Sequence, residues 1–135
     1  AVLDGLSAGT IILFLDEPAL GQAGFNYHRL WAPLFESFNV TPGVHVCGNM
    51  NWDELFNSQV EIISFDASQY DVTIYPAYRN GKRIAWGIQN SHDVRDFQKG
   101  DLLTLPCGMG PKLYSTDDCE VCLSKLLEVA SEVRR

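Results

Sequence analysis

Short apolar runs alternate with polar, turn-forming segments along the whole chain. Five runs are predicted to be β-strands, because they are brief and bounded by Gly, Pro, Asn or Asp: residues 10–15, 43–47, 60–65, 82–88 and 101–105. Runs that are apolar throughout, such as TIILFL at 10–15, are typical of strands covered on both faces. The pattern therefore favours a parallel sheet.

Helical spacing of apolar residues predicts helices between and after the strands. Residues 27–38 carry such a pattern, and Pro33 within it is expected to kink or shorten the helix. Residues 51–56 predict a short helix capped by Asn51, and Ser115 or Thr116 caps a long final helix. The apolar stripe predicted for that last helix comprises Cys119, Cys122, Leu123, Leu126, Leu127, Ala130 and Val133.

Alternating strands and helices indicate right-handed crossovers within one α/β domain over residues 1–135. Five strands fit either an open three-layer sheet or part of a barrel. The connection at 89–100 barely reaches the dozen or so residues that a parallel crossover needs. Either a crossover helix is lost there or part of the native sequence is absent.

The composition limits the classes of partner and the cellular compartment that we expect for this protein. The 135 residues carry a formal net charge of −7 with no acidic or basic runs, which argues against nucleic acid and anionic membranes. No apolar run is long enough to span a bilayer, and no secretory signal is expected. The four cysteines are too few and too unevenly spaced for a disulfide scaffold, so reduced thiols in a cytoplasmic protein are predicted.

Reactive side chains follow directly on the predicted strands: Asp16, His45 with Cys47, Asp66 and Cys107. The carboxyl ends of parallel strands meet at one edge of a sheet or barrel, where α/β active sites form. His45 and Cys47 are two residues apart, so they share a face. One nitrogen, two sulfurs and one oxygen make a plausible tetrahedral zinc set.

Each of these residues can also be explained by a structural role that needs no metal. His45 and Cys47 would pack or form turn hydrogen bonds, Cys107 would be a buried cysteine before a glycine turn, and Asp66 would cap the following turn. The convergence of all four at strand ends is what favours a metal site.

The other cysteines and histidines are less informative. Cys119 and Cys122 form a C-x-x-C, but they lie on an apolar helix stripe with no second pair, which favours core packing. His28 is expected at the surface or in packing. His92 follows the fourth strand, so it is a candidate for the same edge.

Five motifs resemble a known family in their order along the chain. They are LDEPAL (15–20), HVCGN (45–49), IISFDAS (62–68), IAWGI (84–88) and LPCGMG (105–110). The same order occurs in the C-terminal catalytic barrel of cobalamin-independent methionine synthase. HVCGN is also similar to the zinc motif of methylcobalamin:coenzyme M methyltransferases, which share a barrel superfamily with uroporphyrinogen decarboxylase. The resemblance extends from residue 10 onward.

The resemblance implies a (βα)8 TIM-barrel type of fold, of which this chain has about five βα units. A complete barrel takes about 250 residues, so the chain is expected to be the C-terminal part of a barrel or a truncated barrel. A homo-oligomer that completes the sheet is a further expectation. The implied activity is a zinc-dependent transfer of a methyl group to a thiol such as homocysteine or coenzyme M. The donor would be a methylated corrinoid protein or, less expected, a methyl-folate.

The resemblance also assigns roles to residues of this chain. The family's zinc-binding His and two Cys match His45, Cys47 and Cys107. The family's acidic ligand, usually Glu, falls on Asp66, which is one methylene shorter.

Two further roles follow from the same resemblance. Asp16 matches the aspartate of the family's Asp-Glu-Pro, which helps hold the amino-acid substrate, and His92 aligns loosely with a catalytic histidine. Two other hypotheses stay open. One is a metal-free decarboxylase- or lyase-like enzyme that uses Asp16 and Asp66 for acid–base chemistry. The other is a non-catalytic module with a structural zinc closed by four protein ligands.

Overall fold

A five-stranded parallel sheet forms the centre of the computed structural model, which describes residues 3–18, 20, 29, 31–108 and 114–135. Each strand pairs with the next one along the chain, in the order β1-β2-β3-β4-β5, so the sheet is a half-barrel. The strands are β1 (Ile12–Asp16), β2 (Thr41–Val46), β3 (Ile62–Asp66), β4 (Arg83–Gly87) and β5 (Leu102–Thr104). All five predicted strands are present, with shifted ends.

Three α-helices occur in the described residues: α1 (Ala32–Glu36), α2 (Trp52–Phe56) and α3 (Thr116–Val133). Pro33 lies in the first turn of α1, where a missing N–H costs nothing, so it helps to begin the helix. Most of the first half of the predicted helix at 27–38, including His28, lies outside the described residues. Within the described ranges no helix is long and apolar enough to cross a membrane.

The last two crossovers contain 3-10 turns in place of α-helices. Val72–Ile74 lies between β3 and β4, and Ser91–Asp93 lies between β4 and β5. Asn90 and Asp93 close the second turn as a capping box, in which each side chain accepts from a backbone N–H of the other end. The short connection at 89–100 thus contains a 3-10 turn and no α-helix.

The apolar core lies on the face of the sheet that the helices cover. Alternate strand residues point into it, and α2 adds three buried side chains. The aromatic centre of this core is formed by Trp52, Phe65 and Trp86, with neighbouring ring centroids 5.5 and 5.8 Å apart. This packing leaves the opposite face of the sheet for the polar residues that end the strands.

Helix α3 begins as predicted, and the stripe through which it packs overlaps the predicted stripe only in part. Ser115 and Asp118 form its capping box. Val129 is buried, and Leu126 and Val133 pack against the core. Leu127 is 70% exposed, so the prediction that it belongs to the buried stripe is wrong. The predicted stripe is therefore right at Leu126 and Val133 and wrong at Leu123 and Leu127, which are exposed.

Buried charges hold the opposite end of the sheet together. The carboxylate of Asp101, just before β5, is 5% exposed and accepts two hydrogen bonds from Arg79, at 2.7 and 3.0 Å. It also accepts from the backbone N–H groups of Ile84 and Gln98 and from the indole of Trp86, each at 3.0 Å. One carboxylate therefore ties the turn at residue 79 to both β4 and β5.

Candidate metal centre

Three of the predicted ligands meet at the carboxyl edge of the sheet. His45 lies near the end of β2, Cys47 follows that strand, and Cys107 follows the turn after β5. A ring nitrogen of His45 and the sulfurs of Cys47 and Cys107 all lie within 4.8 Å of one another. The sheet therefore assembles a group that could hold a metal ion from residues 60 positions apart.

The spacing of the two sulfurs suits one tetrahedral ion. The Sγ atoms of Cys47 and Cys107 are 3.7 Å apart. Two thiolates on a tetrahedral zinc, each with a bond of about 2.3 Å, would be about 3.8 Å apart. Two sulfurs and an imidazole nitrogen are also the donors that zinc prefers, whereas magnesium and calcium prefer oxygen. The residues present fit zinc.

A buried serine contacts the histidine of this group. Ser64 stands directly opposite His45 in the register of β2 and β3. Its Oγ lies 2.9 Å from Nδ1 of the imidazole. Sequence reasoning missed Ser64, although the alternation of β3 places it on the same face as Asp66 and so offered a signal.

The thiol of Cys47 is protonated in the metal-free chain. Although the residue as a whole is exposed, burial around its thiol raises the pKa to about 11, and the hydrogen bond and charge of Cys107 and the charge of Asp16 act in the same direction. A bound cation would reverse this effect, since a coordinating thiol is deprotonated.

The carboxylate of Asp66 accepts hydrogen bonds from residues outside the ligand group. One carboxylate oxygen accepts from the backbone N–H and the hydroxyl of Ser68, at 3.0 and 2.5 Å, and the other accepts from the amide of Gln69 at 2.6 Å. Asp66 is not in the ligand group that the described residues form. It acts as a cap for the turn after β3, and its ligation of zinc stays a prediction.

Asp16 lies beside the ligand group, whereas His92 does not join it. Asp16 is the register partner of His45 and its charge acts on the thiol of Cys47. His92 is exposed in the 3-10 turn after β4, where its backbone N–H donates to Asn90. The catalytic role of His92 therefore stays a prediction.

Cavities open on two sides of Cys107. The first, of about 410 Å³, lies over the face of the sheet opposite the apolar core. Its lining includes Phe14, Asp16, His45, Ser64 and Cys107. The second, of about 470 Å³, shares Cys107, and its lining includes Asp66, Gln69, Gln89, Tyr114, Cys122 and Lys125. Cys122 is only half-buried and contributes to this wall. Cys107 thus lines both cavities, and His45 lines the first.

Comparisons of the chain with protein-family models, with curated proteins and with solved structures gave no significant match.

Proposed function

We propose that the chain binds one zinc ion through His45, Cys47 and Cys107 and transfers a methyl group to a small thiol. One observation carries this proposal: two cysteine sulfurs 3.7 Å apart and an imidazole nitrogen meet at the carboxyl edge of a parallel sheet. The sequence resemblance to the methionine synthase barrel supplies the reaction type. The sequential order of the five parallel strands supports a (βα)8 TIM-barrel type of fold.

Three protein ligands suit a catalytic site better than a structural one. Structural zinc is closed by four protein ligands, whereas catalytic zinc keeps an exchangeable position. The described residues supply three ligands, and both cysteines are exposed. A substrate thiol can therefore approach the fourth position. Bound zinc would stabilise the thiolate form of that thiol, which is the nucleophile that accepts a methyl group.

The chain's own residues favour an amino thiol as the acceptor. Asp16 contributes a carboxylate to the cavity that also contains His45 and Cys107. A carboxylate attracts the ammonium group of homocysteine and repels the sulfonate of coenzyme M. Homocysteine is therefore the acceptor that this cavity suits better. The proposed donor is a methylated corrinoid protein or a methyl-folate.

Zinc X-ray absorption with and without thiol tests the proposal. We expect one zinc per chain with two sulfur neighbours, and a third sulfur neighbour when homocysteine is added. The variant Cys107→Ser should bind zinc weakly, whereas Cys119→Ser, outside the ligand group, should bind it normally. A chain that takes up no zinc would contradict the proposal and favour the metal-free lyase. Zinc that ignores added thiol would favour the structural-zinc module.

A further inference from the structure

The hydroxyl of Ser64 lies against one nitrogen of the His45 ring. Ser64 is 4% exposed, and its Oγ is 2.9 Å from Nδ1 of His45. Its register partner on the other side, in β4, is Ala85, which has no polar side-chain atom. Because a buried hydroxyl without a partner is costly, the contact with His45 is a strong local constraint on both side chains.

A hydrogen bond at Nδ1 determines which nitrogen can bind a metal. A neutral imidazole carries one proton, and only the unprotonated nitrogen can act as a ligand. If Nδ1 carries the proton and donates it to Ser64, the lone pair of Nε2 is free. If Ser64 donates to Nδ1, the proton sits on Nε2 and neither nitrogen is free for a metal without rearrangement.

We infer that Ser64 is a positioning residue that holds His45 as its Nδ1–H tautomer and so makes Nε2 the zinc ligand. This inference rests on the proposed zinc site. Partners of this kind fix the ring orientation and raise the basicity of the ligating nitrogen, and their loss typically weakens metal binding 10- to 100-fold, to order of magnitude. Ser64 touches His45 and acts through it.

Zinc affinity measured by competition with a chromophoric chelator provides the first test. We expect Ser64→Ala to weaken binding by about 10- to 100-fold. Ser64→Thr keeps the hydroxyl and should stay within about threefold of the wild type. Ser58→Ala is the matched control, because Ser58 is also buried but donates to the carbonyl of Leu55. Wild-type affinity in folded Ser64→Ala would overturn the inference.

Nitrogen-15 NMR of His45 in the metal-free chain, recorded under mildly alkaline conditions, provides the second test. We expect the Nδ1–H tautomer in the wild type and in Ser64→Thr, and a shift toward Nε2–H in Ser64→Ala. Zinc bound at Nδ1 would overturn the inference and leave the zinc site intact. A wild type that shows Nδ1–H but binds no zinc would instead overturn the proposed function.

Discussion

The ring of Phe14 occupies the space that a side chain at Gly43 would need. A Cβ built on Gly43 would stand 2.7 Å from two ring carbons of Phe14. The two residues are register partners in β1 and β2. Glycine at this position, two residues before His45, therefore lets the phenyl ring lie over β2. The ring also lines the 410 Å³ cavity that contains His45.

We expect Gly43→Ala to lower the free energy of unfolding by about 1–3 kcal/mol, because the added methyl forces the ring of Phe14 to move. Zinc affinity should fall as well, since His45 is on the same strand. Chemical denaturation and chelator competition measure the two effects. Gly9→Ala, where the added Cβ meets no atom within 4 Å, is the control.

A smaller side chain at position 14 should make room for the methyl group of Gly43→Ala and so restore zinc binding. The double variant Phe14→Leu with Gly43→Ala is expected to regain much of the zinc affinity that Gly43→Ala loses, because a smaller side chain fits beside the new methyl. Equal zinc affinity in Gly43→Ala and the wild type would contradict the proposed role of this contact.

The role of Asp66 can be separated from those of the cysteines. Asp66→Asn keeps one acceptor for Ser68 but loses the acceptor for Gln69, so stability should fall by about 1–3 kcal/mol. Zinc affinity should change by less than about threefold if Asp66 only caps the turn. Chelator competition measures this, with Cys107→Ser as the reference for a lost ligand. A loss as large as that of Cys107→Ser would show that Asp66 is also a ligand of the ion.

The buried carboxylate of Asp101, at the other end of the sheet, predicts that the free energy of unfolding falls in acid. Burial alone raises the pKa of Asp101, but hydrogen bonds from Arg79, Ile84, Trp86 and Gln98 outweigh it and lower the pKa below its ordinary range. A lowered pKa stabilises the folded state above the unfolded-state pKa of about 3.9. That contribution is lost as the pH falls from there through the folded-state pKa.

We therefore expect Asp101→Asn to cost about 2–4 kcal/mol near neutral pH, since the buried Arg79 loses its bidentate carboxylate and keeps only the ion pair with Asp96. Its free energy of unfolding should also fall less steeply than that of the wild type below about pH 4. Denaturant titrations at several pH values measure both. The control Asp117→Asn changes an exposed carboxylate at the start of α3 and should cost less than about 1 kcal/mol. Parallel pH profiles of Asp101→Asn and the wild type would contradict this assignment.

Oxidation should disable the ligand group. Cys47 and Cys107 are exposed and their sulfurs are 3.7 Å apart. Hydrogen peroxide is expected to convert the two thiols of the metal-free chain to a disulfide, with the loss of two hydrogen atoms and the release of two water molecules. Zinc uptake should then be lost and should return on reduction. Peptide mapping identifies the bond, and the variant with Cys119→Ser and Cys122→Ser should behave like the wild type. A bridge that maps to other cysteines would contradict the prediction.

The positions of the strands were predictable because a short, continuous hydrophobic run directly indicates a buried strand. All five strands lie within two residues of their predicted limits, and the meeting of His45, Cys47 and Cys107 follows from parallel strands ending at one edge. The core-facing stripe of α3 was predictable only in part, because Val129 and Leu127 are both apolar and only tertiary packing decides which is buried. The alternation of β3 places Ser64 on the face of Asp66, but only the register of β2 and β3 shows that it stands opposite His45.

The two cavities that meet at Cys107 have a kinetic consequence for the proposed reaction. If each cavity holds one of the two substrates beside Cys107, neither has to leave before the other arrives. The protein's cysteines would then serve as ligands without ever carrying the methyl group. Such an enzyme works through a ternary complex, and its double-reciprocal plots intersect where those of a ping-pong enzyme run parallel.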